Sequence, residues 1–204
     1  MVLKRFVLGS SADAQRHFFR QAGLLRSLSR SNLVAVEGVF VYEQFGYLVM
    51  PLYGGGDLAA WLEATPATAR SPDQCKQIAR DLVNGLRGLH AAGVVHCDIK
   101  PSNVLLTCCG QALIGDFDGA RKVDVTMTRA RGLQVTEKYL APEFLSGAAK
   151  DATKAMDVFS LGRLFGELLH DAELGPAAGA LLARMGHANP RAARDRGRGT
   201  GRAF

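Results

Sequence analysis

Residues 96–103 read His96-Cys97-Asp98-Ile99-Lys100-Pro101-Ser102-Asn103. Within eight positions they offer a carboxylate, an ammonium and a side-chain amide, and Pro101 prevents the segment from being a helix interior. The flanks are regular. Upstream, Ile78, Leu82, Leu86 and Leu89 recur at helical spacing across residues 71–92. Ser71, Pro72 and Gln74 form a start signal of the capping-box type, and Gly93 supplies the stop. Downstream, Val104-Leu105-Leu106 and Ala112-Leu113-Ile114 are short apolar segments separated by a Cys109-Gly110-Gln111 turn. Asp116-Phe117-Asp118 follows, and Ala141-Pro142-Glu143 comes later. Residues 116–143 have no sustained periodicity and read as a long ordered loop, of a length that is usually functional in compact domains.

Toward the N-terminus, Leu33–Val36, Val39–Tyr42 and Tyr47–Met50 read as strands, and Phe18, Ala22, Leu25 and Leu28 mark one face of a helix over 12–29. Beyond the long loop, helices are expected at 157–169, with Val158, Leu161, Phe165 and Leu168 in register, and at about 177–186. A strand-rich start and a helix-rich remainder make an α+β pattern.

The chain of 204 residues is 48% apolar and 22% charged, long and apolar enough to bury a core. No run approaches the roughly 18 apolar residues of a membrane span, which argues against a membrane as partner. The net charge of +6 is local, because six arginines and one acid, Asp195, lie between Arg184 and Phe204. The other 183 residues carry 19 basic and 18 acidic groups. The basic character therefore belongs to a tail rich in arginine and glycine, expected to be disordered, and argues against nucleic acid as a partner. Four cysteines without a CxxC pair read as free thiols in a reducing, cytoplasmic setting. Residues 1–30 hold six basic groups and one acid, the composition of a transit peptide, but they fit the strand and helix pattern better.

Taken singly, Asp98 or Asn103 is a turn residue. Together with Asp116 and Lys100 they supply a carboxylate to accept a hydroxyl proton, a cation for a moving phosphate, and oxygen ligands for a divalent metal. On these motifs the sequence resembles the eukaryotic protein kinase domain of the serine/threonine type. The resemblance implies a two-lobed fold with an incomplete strand-rich small lobe at residues 1–50. A helix-rich large lobe would span 51–195 and a tail 196–204. It implies ATP-dependent phosphoryl transfer to a protein substrate with Mg²⁺ or Mn²⁺. By the same resemblance Asp98 is the base, Lys100 neutralises the phosphate, and Thr136 buttresses the catalytic loop. Asn103 and Asp116 are the metal ligands. Lys4 is the ATP-binding lysine, Met50 is the gatekeeper of the nucleotide site, and Leu52 and Tyr53 border the adenine. Glu143 is expected to pair with Arg194, and Asp157 begins the helix that anchors the catalytic loop. The triplet Gly54-Gly55-Gly56 is read as a flexible exit from the hinge between lobes.

Several positions depart from the family pattern. The residues before Lys4 offer no glycine-rich loop, so two small-lobe strands are expected to be absent. Gln21 stands where the family has the glutamate that pairs with the lysine, which keeps a hydrogen bond and loses an ion pair. Cys97 replaces an arginine that would dock a phosphorylated loop carrying Thr126 or Thr128. Asp118 replaces glycine, and is either a further metal ligand or a solvent-facing loop residue. These departures leave the alternative of a pseudokinase scaffold that binds a protein partner, or of a degenerate fragment.

Overall fold

The computed structural model describes residues 1–28, 31–122, 137–145, 151–169 and 185, apart from the side chains of His17, Gln21 and Leu24. The expectations for Thr126, Thr128, Thr136, Arg194, the tail and, apart from residue 185, the helix at 177–186, and any contact of the Gln21 side chain, lie outside the described residues.

The N-terminal part is a three-stranded antiparallel sheet crossed by one helix. Strand β1 (Val2–Val7) and strand β2 (Gly38–Tyr42) flank strand β3 (Phe45–Met50), in the order β1-β3-β2. Register places Lys4 opposite Leu48 and Val2 opposite Met50. Helix α1 (Ala12–Ser27) lays Phe18 and Ala22 against Leu48, forming a small core that is separate from the main one. Phe18 packs on Phe6, with ring centroids 5.4 Å apart. Gly46 admits the Phe18 ring, since a Cβ there would lie 2.8 Å from it.

The remainder is helical. Helix α2 (Leu58–Ala64) is capped by the Asp57 side chain, which accepts from the Ala60 amide. Helix α3 (Pro72–Ala91) buries Ile78, Leu82, Leu86 and Leu89, and Gly93 ends it at φ +71°. The proline start is as expected, but the Ser71 side chain makes no capping hydrogen bond. Two short strands, β4 (Val94–Val95) and β5 (Val104–Leu106), follow, and then β6 (Ala112–Ile114), antiparallel to β5 around Gly110 at φ +79°. Strand β7 (Arg121–Lys122) pairs with β4. Helix α4 (Pro142–Leu145) is a single turn, and α5 (Lys154–Leu168) follows it. Leu161, Leu164 and Leu168 of α5 join the α3 stripe, Val104 and Ile114 in the main core. Helix α5 starts three residues earlier than its apolar pattern implies, and Val158, expected in register, is exposed.

The expected strand over Leu33–Val36 does not form. Instead, Asn32 to Val34 lie along β6 and join the two parts of the molecule. Leu33 bridges Ile114, the Ile114 amide donates to the Asn32 carbonyl, and the Val34 amide donates to the Ile114 carbonyl, both at 2.9 Å. Asn32, in the left-handed region at φ +67°, also donates its side-chain amide to the Ala112 carbonyl. A second seam lies at the glycine triplet. The Gly55 amide donates to the Leu106 carbonyl, and the Leu106 amide to the Gly56 carbonyl. The triplet is thus fastened to β5 rather than flexible. A Cβ on Gly55 would lie 2.7 Å from two carbonyl oxygens, which is why glycine stands there.

Gly85 tests this packing. Glycine to alanine inside a helix ordinarily stabilises by up to about 1 kcal/mol. Here the new methyl would meet the Asn32 carbonyl oxygen at 2.6 Å and the Ile114 side chain at 3.2 Å, which forces α3 away from the 32–34 segment. Gly85→Ala is therefore expected to lower stability by about 1–3 kcal/mol, the usual cost of overpacking. Chemical denaturation of both proteins checks the sign, and a gain in stability would refute the close approach.

Candidate active site

The site begins with a buried carboxylate. Asp157, in the first turn of α5, is fully buried, and its two oxygens are filled by backbone and ring N–H groups. Oδ2 accepts from the His96 amide and faces His90 Nε2, and Oδ1 accepts from the Cys97 amide, each at 2.8 Å. Cys97 adopts φ +66°, a left-handed conformation that costs a β-carbon residue about 1–3 kcal/mol. The hydrogen bond from its amide to a buried anion offsets that strain. The bend that follows turns residues 98–103 back across the site.

Within that bend Asp98 is held from two sides. Asn103 donates its side-chain amide to both the Asp98 carbonyl and Oδ2, each at 2.8 Å, and Lys100 Nζ lies 2.8 Å from Oδ2. Pro101–Asn103 forms a 3₁₀ turn that brings Asn103 under Asp98. With its nitrogen spent on Asp98, the Asn103 amide has its oxygen left for a cation, a hard donor of the kind Mg²⁺ prefers. His96, fully buried, accepts from the Asp98 amide at Nδ1 and donates from Nε2 to the Gly115 carbonyl at 2.9 Å, which defines its tautomer.

That last bond ties the bend to the Asp116 turn. Asp116 adopts φ +54° and ψ +69°, and Phe117–Gly119 forms a 3₁₀ turn with Phe117 buried against the His96 ring. The carboxylates of Asp116 and Asp118, on either side of Phe117, are half-exposed, and Lys4 of β1 reaches both. Its ammonium is 2.5 Å from Asp116 and 2.9 Å from Asp118. Burial alone would lower the Lys4 pKa, but hydrogen bonds to the two carboxylates outweigh it and the net shift is upward. Asp116 moves down despite burial, because Lys4 donates to it. Asp118 moves up through burial, opposed by Lys4 and reinforced by its like-charged neighbour Asp116. Asp118 is therefore not a bare loop residue: half-exposed to solvent, it is a second carboxylate for Lys4.

The structure thus brings Asp98, Lys100 and Asn103 into one hydrogen-bonded group and Lys4 and Asp116 into another, joined through His96 and Gly115. Met50 ends β3 and packs on the main core; Leu52 is 71% exposed. The Tyr53 hydroxyl accepts from the Ala35 amide. Glu143 lies in α4. Sequence reasoning missed His90 and Asp81. The Asp81 carboxylate, buried in the α3 stripe, accepts from the Ala112 amide and holds β6 to the helix. An acid at a stripe position between Ile78 and Leu82 was the readable signal.

A groove of about 620 Å³ opens beside this group and not over Lys4. Leu62, Glu63, Lys100, Ser102, Tyr139 and Glu167 line it. Arg70 braces one side, donating to the carbonyls of Leu62, Thr65 and Glu167. The Ser160 hydroxyl donates to the Tyr139 carbonyl and Lys138 pairs with Glu167, which fastens the 137–139 turn to α5.

A family model described as the protein kinase domain matches residues 1–181. The chain is 35% identical over 176 residues to the serine/threonine-protein kinase PkaB of Streptomyces coelicolor, covering 82% of this chain and 41% of that protein. It is 36% identical over 167 residues to PkaA of the same organism, covering 79% of this chain and 30% of PkaA. Against PknA of Mycobacterium tuberculosis it is 38% identical over 144 residues, covering 69% and 32%. The chain thus spans less than half the length of these relatives.

Two measurements check the site. Asp157→Asn keeps the shape but cannot accept all three hydrogen bonds, so a loss of about 3 kcal/mol is expected. For a chain of this size that corresponds to a Tm lower by about 6–12 °C; an unchanged Tm would contradict the clamp. The Cys97 thiol is pushed up to about 12, by burial first and then by Asp157, with Arg121 opposing and Asp98 adding. Iodoacetamide at pH 8 should therefore modify the exposed Cys108 and Cys109 and spare Cys97 and the buried Cys75, as read by peptide mass spectrometry. Rapid alkylation of Cys97 in the folded protein would overturn the assignment.

Proposed function

Because the chain belongs to the protein kinase family, we propose that it transfers the γ-phosphoryl group of ATP to a serine or threonine hydroxyl of a protein substrate. The observation that supports this most is the double donation from Asn103 to Asp98 with Lys100 alongside, which orients a carboxylate next to a groove that Lys100 and Ser102 line. In this reading Asp98 accepts the hydroxyl proton as the substrate oxygen bonds to phosphorus and the bond to ADP breaks. Lys100 holds negative charge on the transferred group near Asp98. Lys4 binds the nucleotide's phosphates, Met50 is the gatekeeper of the nucleotide site, and Leu52 and Tyr53 border the base. Most of the rate enhancement in such a reaction comes from positioning and electrostatics, so fixed side-chain geometry is the protein's main contribution.

The donor set fits a divalent cation, since the Asn103 oxygen and the Asp116 carboxylate are both hard ligands. When bound, Mg²⁺ would neutralise charge that develops on the phosphate oxygens. A second reading, a scaffold that keeps the fold and binds a protein partner, is favoured by one feature. Lys4 already partners both Asp116 and Asp118, so the cluster is satisfied without a ligand.

Transfer of labelled γ-phosphate to a generic protein acceptor decides between the two. The wild type should transfer, and Asp98→Asn should lose about 10²–10⁴-fold in kcat, the span typical of acid–base catalysis. No transfer by the wild type favours the scaffold, and equal rates in the two proteins would remove Asp98 as base.

A further inference from the structure

Helix α1 crosses the sheet that carries Lys4, yet its only acidic residue is Asp13, which pairs with Arg16. Lys4 therefore takes its counter-charge from the turn after β6, where Asp116 and Asp118 both contact its ammonium. The two acids differ in what else they can do. Asp116 is the one proposed to serve a cation together with Asn103. If a dication draws Asp116, its pull weakens the contact to Lys4 and places two positive charges near each other.

Asp118 resolves that conflict. We propose that Asp118 is the standing counter-ion of Lys4, a positioning residue that keeps the ammonium in the site while Asp116 turns to metal. The turn is built to hold it there. Phe117 is buried against His96, which fixes the residue between the two acids. Gly119 lies so close to the catalytic bend that a Cβ would be 3.0 Å from the His96 carbonyl oxygen, so the turn cannot roll toward it. Lys4 itself is restrained by its place in β1 opposite Leu48 and by the Phe6 ring, 5.2 Å from its ammonium. Division of labour between two carboxylates lets one turn satisfy a lysine and a dication at once.

The inference rests on the proposed role of Asp116 toward a cation, and its test does not require catalysis. Lysine side-chain ammonium protons are followed by ¹⁵N-detected hydrogen exchange on the full chain, with Lys4 assigned from its loss in Lys4→Arg. Spectra are taken without metal and with MgCl₂ alone. In the wild type the Lys4 ammonium should stay protected in both conditions. In Asp118→Asn its protons should exchange at least tenfold faster once Mg²⁺ is added, and Asp118→Glu should restore protection. The Asp118 side chain is half-exposed, so these variants should melt close to the wild type. Wild-type protection in Asp118→Asn with Mg²⁺ would overturn the proposal, as would loss of protection in the wild type on adding Mg²⁺. A chain that fails to transfer phosphate but shows the expected exchange pattern would sink the kinase reading and leave Asp118 as counter-ion.

Discussion

Everything chemical in this molecule hangs from the buried Asp157 carboxylate. It lies at the start of α5, and the bonds it receives come from the C-terminal turn of α3 and from the bend that carries Asp98. A buried anion is tolerable only when its lone pairs are filled, and here two backbone amides and an imidazole fill them. In return, the anion holds Cys97 in a conformation it would otherwise leave. Asp98, Lys100 and Asn103 inherit their relative positions from that one constraint. The bend passes it on through His96 to Gly115, and so to the turn bearing Asp116 and Asp118.

The strand-rich part contributes one charged group to this arrangement, and the rest of its attachment is neutral. Asn32 to Val34 against β6 and Gly55–Gly56 against β5 are backbone seams, which fix distance and direction without regard to salt or pH. Lys4 adds an ion cluster between those seams. A half-exposed ion pair is worth little by itself, so the seams and not the charges hold Lys4 within reach of the turn.

Helices α1 and α3 were legible in the sequence because their apolar stripes are long, and the ends of α3 are marked by proline and glycine. The hairpin of β5 and β6 was legible for the same reason on a smaller scale. Leu33–Val36 misled because a short apolar run carries no information about its partner. Its partner is one edge of β6, so it gives a bridge and not a sheet strand. Val158 misled because α5 is nearly apolar on several faces and the stripe could be drawn one residue off. At the candidate site, the grouping of Asp98, Lys100 and Asn103 was readable from adjacency. The pairing of Lys4 with Asp118 was not, because it joins residues more than a hundred positions apart through a turn whose geometry depends on a buried phenylalanine.

The fastening of β6 also bears on how the chain acquires its structure. Strand β5 and the Gly110 turn are adjacent to β6, so the hairpin closes over a short loop. The bond from Ala112 to Asp81 spans 31 residues, and the bond from Asn32 to Ala112 spans 80. Loop-closure entropy makes the longer connection costlier by about 0.8 kcal/mol, before any packing rewards it. Contacts of this range slow assembly and are made late. The Asp116 turn begins two residues beyond β6, and Asp116 meets Lys4 across 112 positions, a longer span than either stitch. Formation of the charged cluster is in that sense the last of these three closures.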